Sequence, residues 1–255
     1  PWLFRGYIFE GLFQSEEEIN NSAVRVDGNG DRYPTSPTGV WIGDAKYRDI
    51  NGDGKITADD ETFIGNPWPK IFGGFTNNFS YKGFELSVLI TGTFGNDIYN
   101  MVSMVNSKMG RFYTSRNVMK DAMNYARLDD QGGKVVILNP GTNVPRITGN
   151  QIPNDNNYNV ISSKWVEDGS FVRLKNISLT YNLPASLIAK QKLVRGIRAA
   201  ISVQNLVTFT DYSGYDPEVG ASVGGNVNAQ NQAIGLDYGR YPLTPIYSFS
   251  LGINF

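Results

Sequence analysis

The sequence predicts an all-β protein, the C-terminal six antiparallel strands of a large transmembrane β-barrel with long outer loops and one partly helical insertion. Three observations lead to this prediction. Apolar residues alternate with small or polar ones over about ten or more positions, the length that a tilted strand needs to cross a bilayer. Short and long connections alternate between these segments, as they do in outer-membrane barrels. No apolar run approaches the roughly 20 residues of a spanning helix.

The predicted strands lie near residues 3–13, 71–81, 84–95, 170–183, 196–209 and 241–255. In the clearest of them one face is apolar, and its residues are Phe84, Leu86, Val88, Ile90, Gly92 and Phe94. Lys82 and Gly83 form a two-residue hairpin turn, where Gly tolerates positive φ. The apolar phase changes near Val172 and Leu174, which predicts a β-bulge or a change of environment there.

Three long connections separate these strands, at residues 14–70, 96–169 and 210–240. A short acidic helix is predicted over Ser15–Ile19, and Met101–Arg127 has helical spacing of its apolar residues. The remaining connections, Lys82–Gly83 and Pro184–Val194, are short. If the chain ends on the periplasmic side, every long loop faces outward.

Six strands are too few to close a membrane barrel, because the smallest have about eight. We therefore expect residues 1–255 to be the C-terminal part of a larger barrel, with a plug domain outside this chain. The opening residues read as mid-protein sequence rather than as a signal peptide. The last strand ends on the aromatic Phe255.

Composition excludes several chemistries. The chain has no Cys and no His, which removes thiol nucleophiles, a Ser-His-Asp triad and most zinc sites. A net charge of −1 gives no indication of a nucleic-acid partner. Asp59, Asp60 and Glu61 are adjacent on one loop, whereas glycosidase carboxylates face each other across a cleft. The prediction is a protein without enzymatic activity, catalytic residues or an organic cofactor.

Two sets of side chains leave alternatives open. The four tryptophans could stack on sugar rings in the outer loops. Their positions are better explained by aromatic girdles at the membrane interface and by packing within the loops. These residues are Trp2, Trp41, Trp68 and Trp165. Arg173 and Lys175 lie in the outer half of their strand. They could meet lipopolysaccharide phosphates or line the lumen, and no sequence feature separates these interpretations.

An Asp-rich run matches the pattern of an EF-hand calcium loop. Its oxygen ligands stand at positions one, three, five, seven, nine and twelve, and they are Asp49, Asn51, Asp53, the Lys55 carbonyl, Thr57 and Asp60. Gly54 permits the sharp turn, and Ile56 is the apolar anchor. Asp60 replaces the bidentate Glu, which predicts weaker binding. The sequence predicts structural calcium, against the alternative of an Asx- and Gly-rich loop that hydrogen-bonds its own backbone.

Several blocks, in this order and spacing, resemble the TonB-linked outer-membrane receptors of the SusC/RagA type. They are Gly43–Ile56, Ile64–Pro67, Phe72–Phe75, Phe94–Asn100, Trp165–Ile177 and Tyr241–Pro242. The resemblance spans nearly the whole chain. It implies the C-terminal part of a barrel of about 22 strands in the outer membrane of a Gram-negative, Bacteroidetes-like cell.

The resemblance also implies function and partners. It implies energised uptake of oligosaccharides or peptides, with a SusD-like lipoprotein at the outer face. TonB would act through the N-terminal part that this chain lacks, and the barrel assembly machinery would recognise Phe255. Outer-membrane lipid and lipopolysaccharide would surround the strands.

A second hypothesis is a secreted β-sandwich adhesin or binding module stabilised by calcium. A sandwich needs an outer face that water wets, whereas a barrel's outer face must be apolar. The strands after Gly83 and before Phe255 carry apolar residues along one whole face, which favours the barrel. A non-transporting subunit built on the same barrel is a third possibility.

Overall fold

The computed structural model describes residues 3–107, 117–148, 160–188, 193–219 and 234–255. The strands are β1 (Phe4–Gly6), β2 (Phe9–Leu12), β3 (Val24–Arg25), β4 (Ala45–Tyr47), β5 (Lys55–Ile56), β6 (Thr62–Gly65), β7 (Ile71–Tyr81), β8 (Phe84–Phe94), β9 (Asp97–Asn100), β10 (Leu128–Asp130), β11 (Val135–Ile137), β12 (Val166–Asp168), β13 (Phe171–Asn182), β14 (Gly196–Thr210), β15 (Leu236–Asp237) and β16 (Ile246–Asn254). The α-helices are α1 (Glu16–Asn20), α2 (Met101–Asn106) and α3 (Ala185–Ile188), and short 3₁₀ helices lie at Ala58–Asp60, Lys120–Asn124 and Ser163–Trp165.

The chain divides into two compact units, which we call the sheet unit and the loop unit. The sheet unit comprises Trp68–Asp97, Asp168–Val219 and Arg240–Phe255, and the loop unit comprises Pro1–Pro67, Ile98–Glu167 and Gly220–Gly239. The predicted long connections thus supply most of the loop unit, while five of the six predicted strands supply the sheet unit. Among the described residues, no helix is long and apolar enough to cross a membrane.

The sheet unit is one antiparallel sheet of five strands in the order β16-β14-β13-β8-β7. Tyr81 pairs directly with Phe84, so the turn between β7 and β8 contains two residues. Both have positive φ, 46° at Lys82 and 87° at Gly83. Positive φ at both central positions is the type I′ turn that matches the twist of adjacent strands.

The two faces of this sheet differ in chemistry along all five strands. On one face the register aligns apolar rows, such as Phe79, Leu86, Leu179, Ile201 and Phe249. The opposite face carries small polar rows, such as Asn78, Ser87, Ser178, Ser202 and Ser248. Side chains of the apolar face are largely exposed, among them Phe75 at 62%, Phe249 at 71% and Phe209 at 65%. This contiguous apolar surface requires a non-aqueous neighbour.

The predicted irregularity in β13 is a β-bulge. The register shifts between Leu174 and Asn176 against both neighbouring strands, which leaves Lys175 out of the ladder. On β14 the shift is accompanied by a left-handed residue, Asn205, with a φ of 51°. Asn is among the residues that adopt this conformation at low cost. The bulge explains why the apolar phase changes within the strand.

The prediction of a single long strand at residues 3–13 is wrong. Residues 3–13 form two short strands instead, β1 paired with β6 and β2 paired with β4, and neither belongs to the five-stranded sheet. Gly11, with a φ of 133°, lies at a register shift within β2, and a Cβ on Gly6 would collide with the Ile161 carbonyl oxygen. Because Leu12 and Phe13 are buried within the loop unit, packing there outweighs the weak strand pattern. The last strand also begins later than predicted, at Ile246.

The loop unit joins segments that are distant in sequence. A three-stranded sheet, in the order β12-β9-β15, combines the second and third long connections. Tyr7, which precedes the first connection, bridges to Ser162 of the second. Buried clusters fill the unit, one around Phe13, Ile19 and Ile42 and another around Tyr99 and Trp165. The long connections are therefore folded together rather than independent loops.

The helix predictions have mixed outcomes. Helix α1 forms one residue later than predicted, and Ser15 caps it by accepting a hydrogen bond from the Glu18 N–H. Met101–Arg127 contains helix α2 and the 3₁₀ helix Lys120–Asn124 rather than one continuous helix. Residues 108–116 of this segment lie outside the described residues.

Candidate functional site

The Asp-rich loop is organised by the carboxylate of Asp49. Its oxygens accept hydrogen bonds from the backbone N–H groups of Gly52 at 2.7 Å and Gly54 at 2.9 Å. The hydrogen bond from Gly54 is the main reason that the pKa of Asp49 lies below its usual value. Gly52 and Gly54 have φ values of 75° and 80°, so glycine is required at both turns. An ionised carboxylate therefore sits at position one of the loop.

Asp60, at position twelve, closes the loop from the other end. It is fully buried and accepts the N–H groups of Ile50 and Thr57, each at 2.8 Å. The neighbouring Ile56 is buried against Tyr7 and Tyr47, as expected of the apolar anchor. These contacts hold both ends of the loop against the core of the loop unit.

Between these ends, Asn51 and Asp53 bond to the loop's own backbone. Asn51 Oδ1 accepts from the Asp53 N–H at 3.0 Å, and Asp53 Oδ1 accepts from the Lys55 N–H at 2.8 Å. In the described part of the chain, no three acidic side chains converge as a metal site. The loop thus has the hydrogen bonds to its own backbone that the sequence allowed as the alternative to calcium binding. The donor set is oxygen only, which is the chemistry that calcium requires.

Sequence reasoning missed a buried ion pair in the loop unit. Arg146 donates from Nε to Asp44 Oδ1 at 2.5 Å and from Nη2 to Oδ2 at 3.1 Å. Arg146 also reaches the Pro37 carbonyl, and Asp44 accepts the Trp41 N–H. This bidentate pair joins the first and second long connections. Asp44 belongs to a motif that the resemblance uses, but no sequence pattern indicated Arg146 as its partner.

In the sheet unit, Arg173 is 1% exposed and lies on the polar face, beside Thr208. Its guanidinium donates to Thr208 Oγ1 at 2.8 Å, to Asp216 Oδ1 at 2.6 Å and to Glu218 Oε2 at 2.7 Å. Lys175, at the bulge, reaches the same Glu218 carboxylate at 3.2 Å. Arg173 is therefore turned away from the apolar face, which decides against a lipid-phosphate contact for this side chain.

Asp216 joins the two ends of the third long connection. One oxygen accepts the Arg173 guanidinium and the Glu218 N–H, and the other accepts the Leu243 N–H at 3.0 Å. Burial raises the pKa of Asp216, but the hydrogen bonds from Leu243, Glu218 and Arg173 outweigh burial, and the net pKa lies below its usual value. One ionised carboxylate thus holds residues on both sides of the connection.

The tryptophans have different environments. Trp165 is 7% exposed and packs with Tyr99 and Val144, and Trp41 packs against the cluster around Phe13. Trp68 is 46% exposed, and Trp2 lies outside the described residues. For Trp41 and Trp165, packing rather than a sugar-stacking surface accounts for the ring.

These features define a class of protein. A strongly exposed apolar face, a polar opposite face, strands of 9 to 15 residues and a tight turn are the properties of a wall segment of an outer-membrane β-barrel. A β-sandwich requires a second sheet of comparable size, and among the described residues the other sheets have only two or three strands.

Along nearly its whole length the chain is similar to part of several TonB-dependent receptors. TonB-dependent receptor P3 of Formosa agariphila is 34% identical over 251 residues, which are 98% of this chain and 22% of the relative. TonB-dependent receptor P26 of the same organism is 31% identical over 257 residues, 99% of this chain and 22% of the relative. TonB-dependent receptor SusC of Bacteroides thetaiotaomicron is 23% identical over 216 residues, 82% of this chain and 17% of the relative. No protein-family model matches the chain.

Solved structures show the same fold. The RagAB peptide transporter matches with a TM-score of 0.68 at 24% identity, over 99% of this chain and 22% of that chain. The open-open state of the RagAB peptide importer matches with a TM-score of 0.67 at the same identity and coverage. The chain spans about a fifth of the length of the curated relatives it matches first. The resemblance to SusC/RagA receptors and the outer-membrane location are confirmed, and the relatives are named receptors rather than enzymes.

Proposed function

We propose that this chain forms part of an outer-membrane importer that takes up oligosaccharides or peptides using energy delivered through TonB. The observation that carries the proposal is the similarity to a TonB-dependent receptor along 98% of the chain. The amphipathic sheet supports it, because a polar inner wall and an apolar outer wall suit a protein-lined passage through lipid. A SusD-like lipoprotein would close the outer side, and Phe255, which is 74% exposed, would be available to the barrel assembly machinery.

Energised uptake tests the proposal directly. Cells that express the full-length receptor should accumulate fluorescent probes from a labelled casein digest or from labelled starch oligosaccharides, and cells without its gene should not. A protonophore should abolish accumulation but leave surface binding, because only transport depends on energy. Surface binding without energy-dependent accumulation would instead support a non-transporting subunit.

We also propose that Asp49–Asp60 holds a structural calcium ion. Side-chain oxygens of Asp49, Asn51, Asp53 and Asp60 would be ligands, together with the Lys55 carbonyl and the Thr57 hydroxyl. These residues fit an oxygen-ligated cation, since their loop is closed at both ends and contains glycine where the turn is sharp. Calcium would stiffen the loop that contains β5, and no catalytic role follows.

Calcium should protect this loop from proteolysis. In the full-length receptor, millimolar calcium is expected to slow cleavage within residues 48–60, and Asp53→Asn should weaken that protection about tenfold or more, because it removes one of the charged ligands that tune affinity. Asp59→Asn is the matched control, because Asp59 is exposed and outside the ligand set. Protection that is independent of calcium, or equal in both variants, would leave the self-bonded loop as the correct interpretation.

A further inference from the structure

A cavity of about 290 Å³ lies inside the loop unit. The N-terminal segment and the second and third long connections contribute to its wall, for example through Phe4, Tyr99 and Leu236. Phe4 and Tyr99 meet edge to face with ring centroids 5.9 Å apart, so this part of the wall is held by packing. The cavity forms where these three segments fold together.

Among the described residues, its lining is mostly apolar. Met101, Ile161 and Leu236 contribute aliphatic surface. Among the described lining residues the cation is Arg5, whose side chain is 62% exposed and whose Nε lies 3.7 Å from Glu61 Oε2. An exposed pair at this distance is weak, so the Arg5 guanidinium can exchange Glu61 for another carboxylate.

We propose that this cavity is a binding site for the C-terminal residue of a short peptide. An apolar side chain of that residue occupies the cavity, and its carboxylate pairs with Arg5. This inference rests on the proposed import function and deepens it by naming the substrate class. The cavity, about 290 Å³, is slightly smaller than the roughly 300–1,000 Å³ typical of small-molecule sites, which suits one side chain rather than a chain of sugars.

The lining argues against an oligosaccharide in the same place. A sugar presents a hydroxyl on nearly every carbon, and each buried hydroxyl needs a hydrogen-bond partner. Among the described residues that line the cavity, the polar side chains are Arg5, Tyr99 and Tyr238. The Tyr99 hydroxyl is already engaged with the Ser162 N–H and Met104 Sδ. An aliphatic or aromatic side chain needs no such partners.

Peptide binding to the purified full-length receptor in detergent, measured by calorimetry, tests the proposal. The probes are the peptide Ala-Ser-Gly-Leu, its C-terminal amide, the peptide Ala-Ser-Gly-Ala and maltohexaose. Replacing the terminal leucine by alanine should weaken binding about 30-fold, because several methylene-sized groups leave the cavity. Amidation should weaken it about fivefold, the upper range for an exposed ion pair.

Two variants connect these effects to the cavity. Arg5→Gln should weaken binding of the free-acid peptide Ala-Ser-Gly-Leu to the affinity of its C-terminal amide. The same variant should leave binding of the amide unchanged. Ile161→Trp should fill the cavity from an exposed position and remove the preference for leucine over alanine. Lys134→Gln, on an exposed residue elsewhere in the loop unit, is the control and should change neither preference.

Three results would overturn the proposal. They are equal loss of acid and amide binding in Arg5→Gln, an unchanged leucine preference in Ile161→Trp, and binding of maltohexaose that Ile161→Trp abolishes. If another segment of the receptor fills the cavity, the leucine preference will be absent from the start. Uptake measurements separate this inference from the proposed function. Energy-dependent import that Ile161→Trp does not change would refute only the proposed binding site. Absence of any import would refute the proposed function.

Discussion

Replacing Arg173 by Met is expected to lower the free energy of unfolding of the receptor by about 3–5 kcal/mol. The substitution removes the guanidinium that Asp216 and Glu218 share and leaves the carboxylate of Asp216, 7% exposed, without its cation. An uncompensated buried charge costs far more than an exposed one. Arg173→Met should also loosen the third long connection, since Asp216 holds Leu243 as well.

Guanidinium titration of the receptor refolded in lipid vesicles measures the loss. Arg198→Met is the matched control, since Arg198 lies exposed on the same polar face and its loss should cost less than about 0.5 kcal/mol. If Arg173→Met and Arg198→Met unfold at the same denaturant concentration, the buried network does not stabilise the sheet.

The effect of Arg173→Met depends on pH in a defined direction. Folding lowers the pKa of Asp216 below its unfolded value of about 3.9. The contribution of Asp216 is therefore complete above that value and is lost as the pH falls through the folded pKa. The difference in unfolding free energy between wild type and Arg173→Met should be large at neutral pH and shrink as the solution is acidified below about pH 4.

Ile90→Arg, on the apolar face of β8, is expected to lower the free energy of unfolding of the receptor in a bilayer by about 2–4 kcal/mol. Ile90 shares its row with Phe75 and Leu174, within the apolar band between the two ends of the sheet. A charge there would have to leave water for hydrocarbon, or draw water and headgroups inward. The receptor is folded into lipid vesicles and unfolded with denaturant while its tryptophan fluorescence is recorded. The shift of the unfolding curve gives the loss of unfolding free energy.

Ser87→Arg distinguishes the two faces of the same strand. Ser87 lies on the polar face, opposite Asn78 and Ser178. An arginine there should cost less than about 1 kcal/mol, because lumen-facing positions tolerate polar side chains. Equal costs for Ile90→Arg and Ser87→Arg would mean that the apolar face is not the one in contact with lipid.

Local sequence was sufficient for the wall of the barrel. A period of two assigns every side chain of a strand to one of two faces, so β7, β8, β13 and β14 could be placed within one or two residues. The Lys82–Gly83 turn followed from Gly83, because glycine adopts positive φ at little cost, and from its position between two alternating segments. The oxygen-rich Asp49–Asp60 loop was likewise predicted from residue spacing alone. Because its side chains hydrogen-bond the loop's own backbone, calcium binding has to be tested by experiment.

Tertiary structure alone decided how the long connections fold and which charges they pair. Residues 3–13 had a weak strand pattern, but burial of Leu12 and Phe13 made them part of the loop unit. Arg146 and Asp44 are 102 residues apart, and Arg173 and Asp216 are 43 apart. No periodicity connects such pairs, because side chains that are distant in sequence meet only after the hydrophobic clusters have formed. The sequence by itself therefore determined the strands and their faces, and three-dimensional packing determined the loop unit, its cavity and its buried ion pairs.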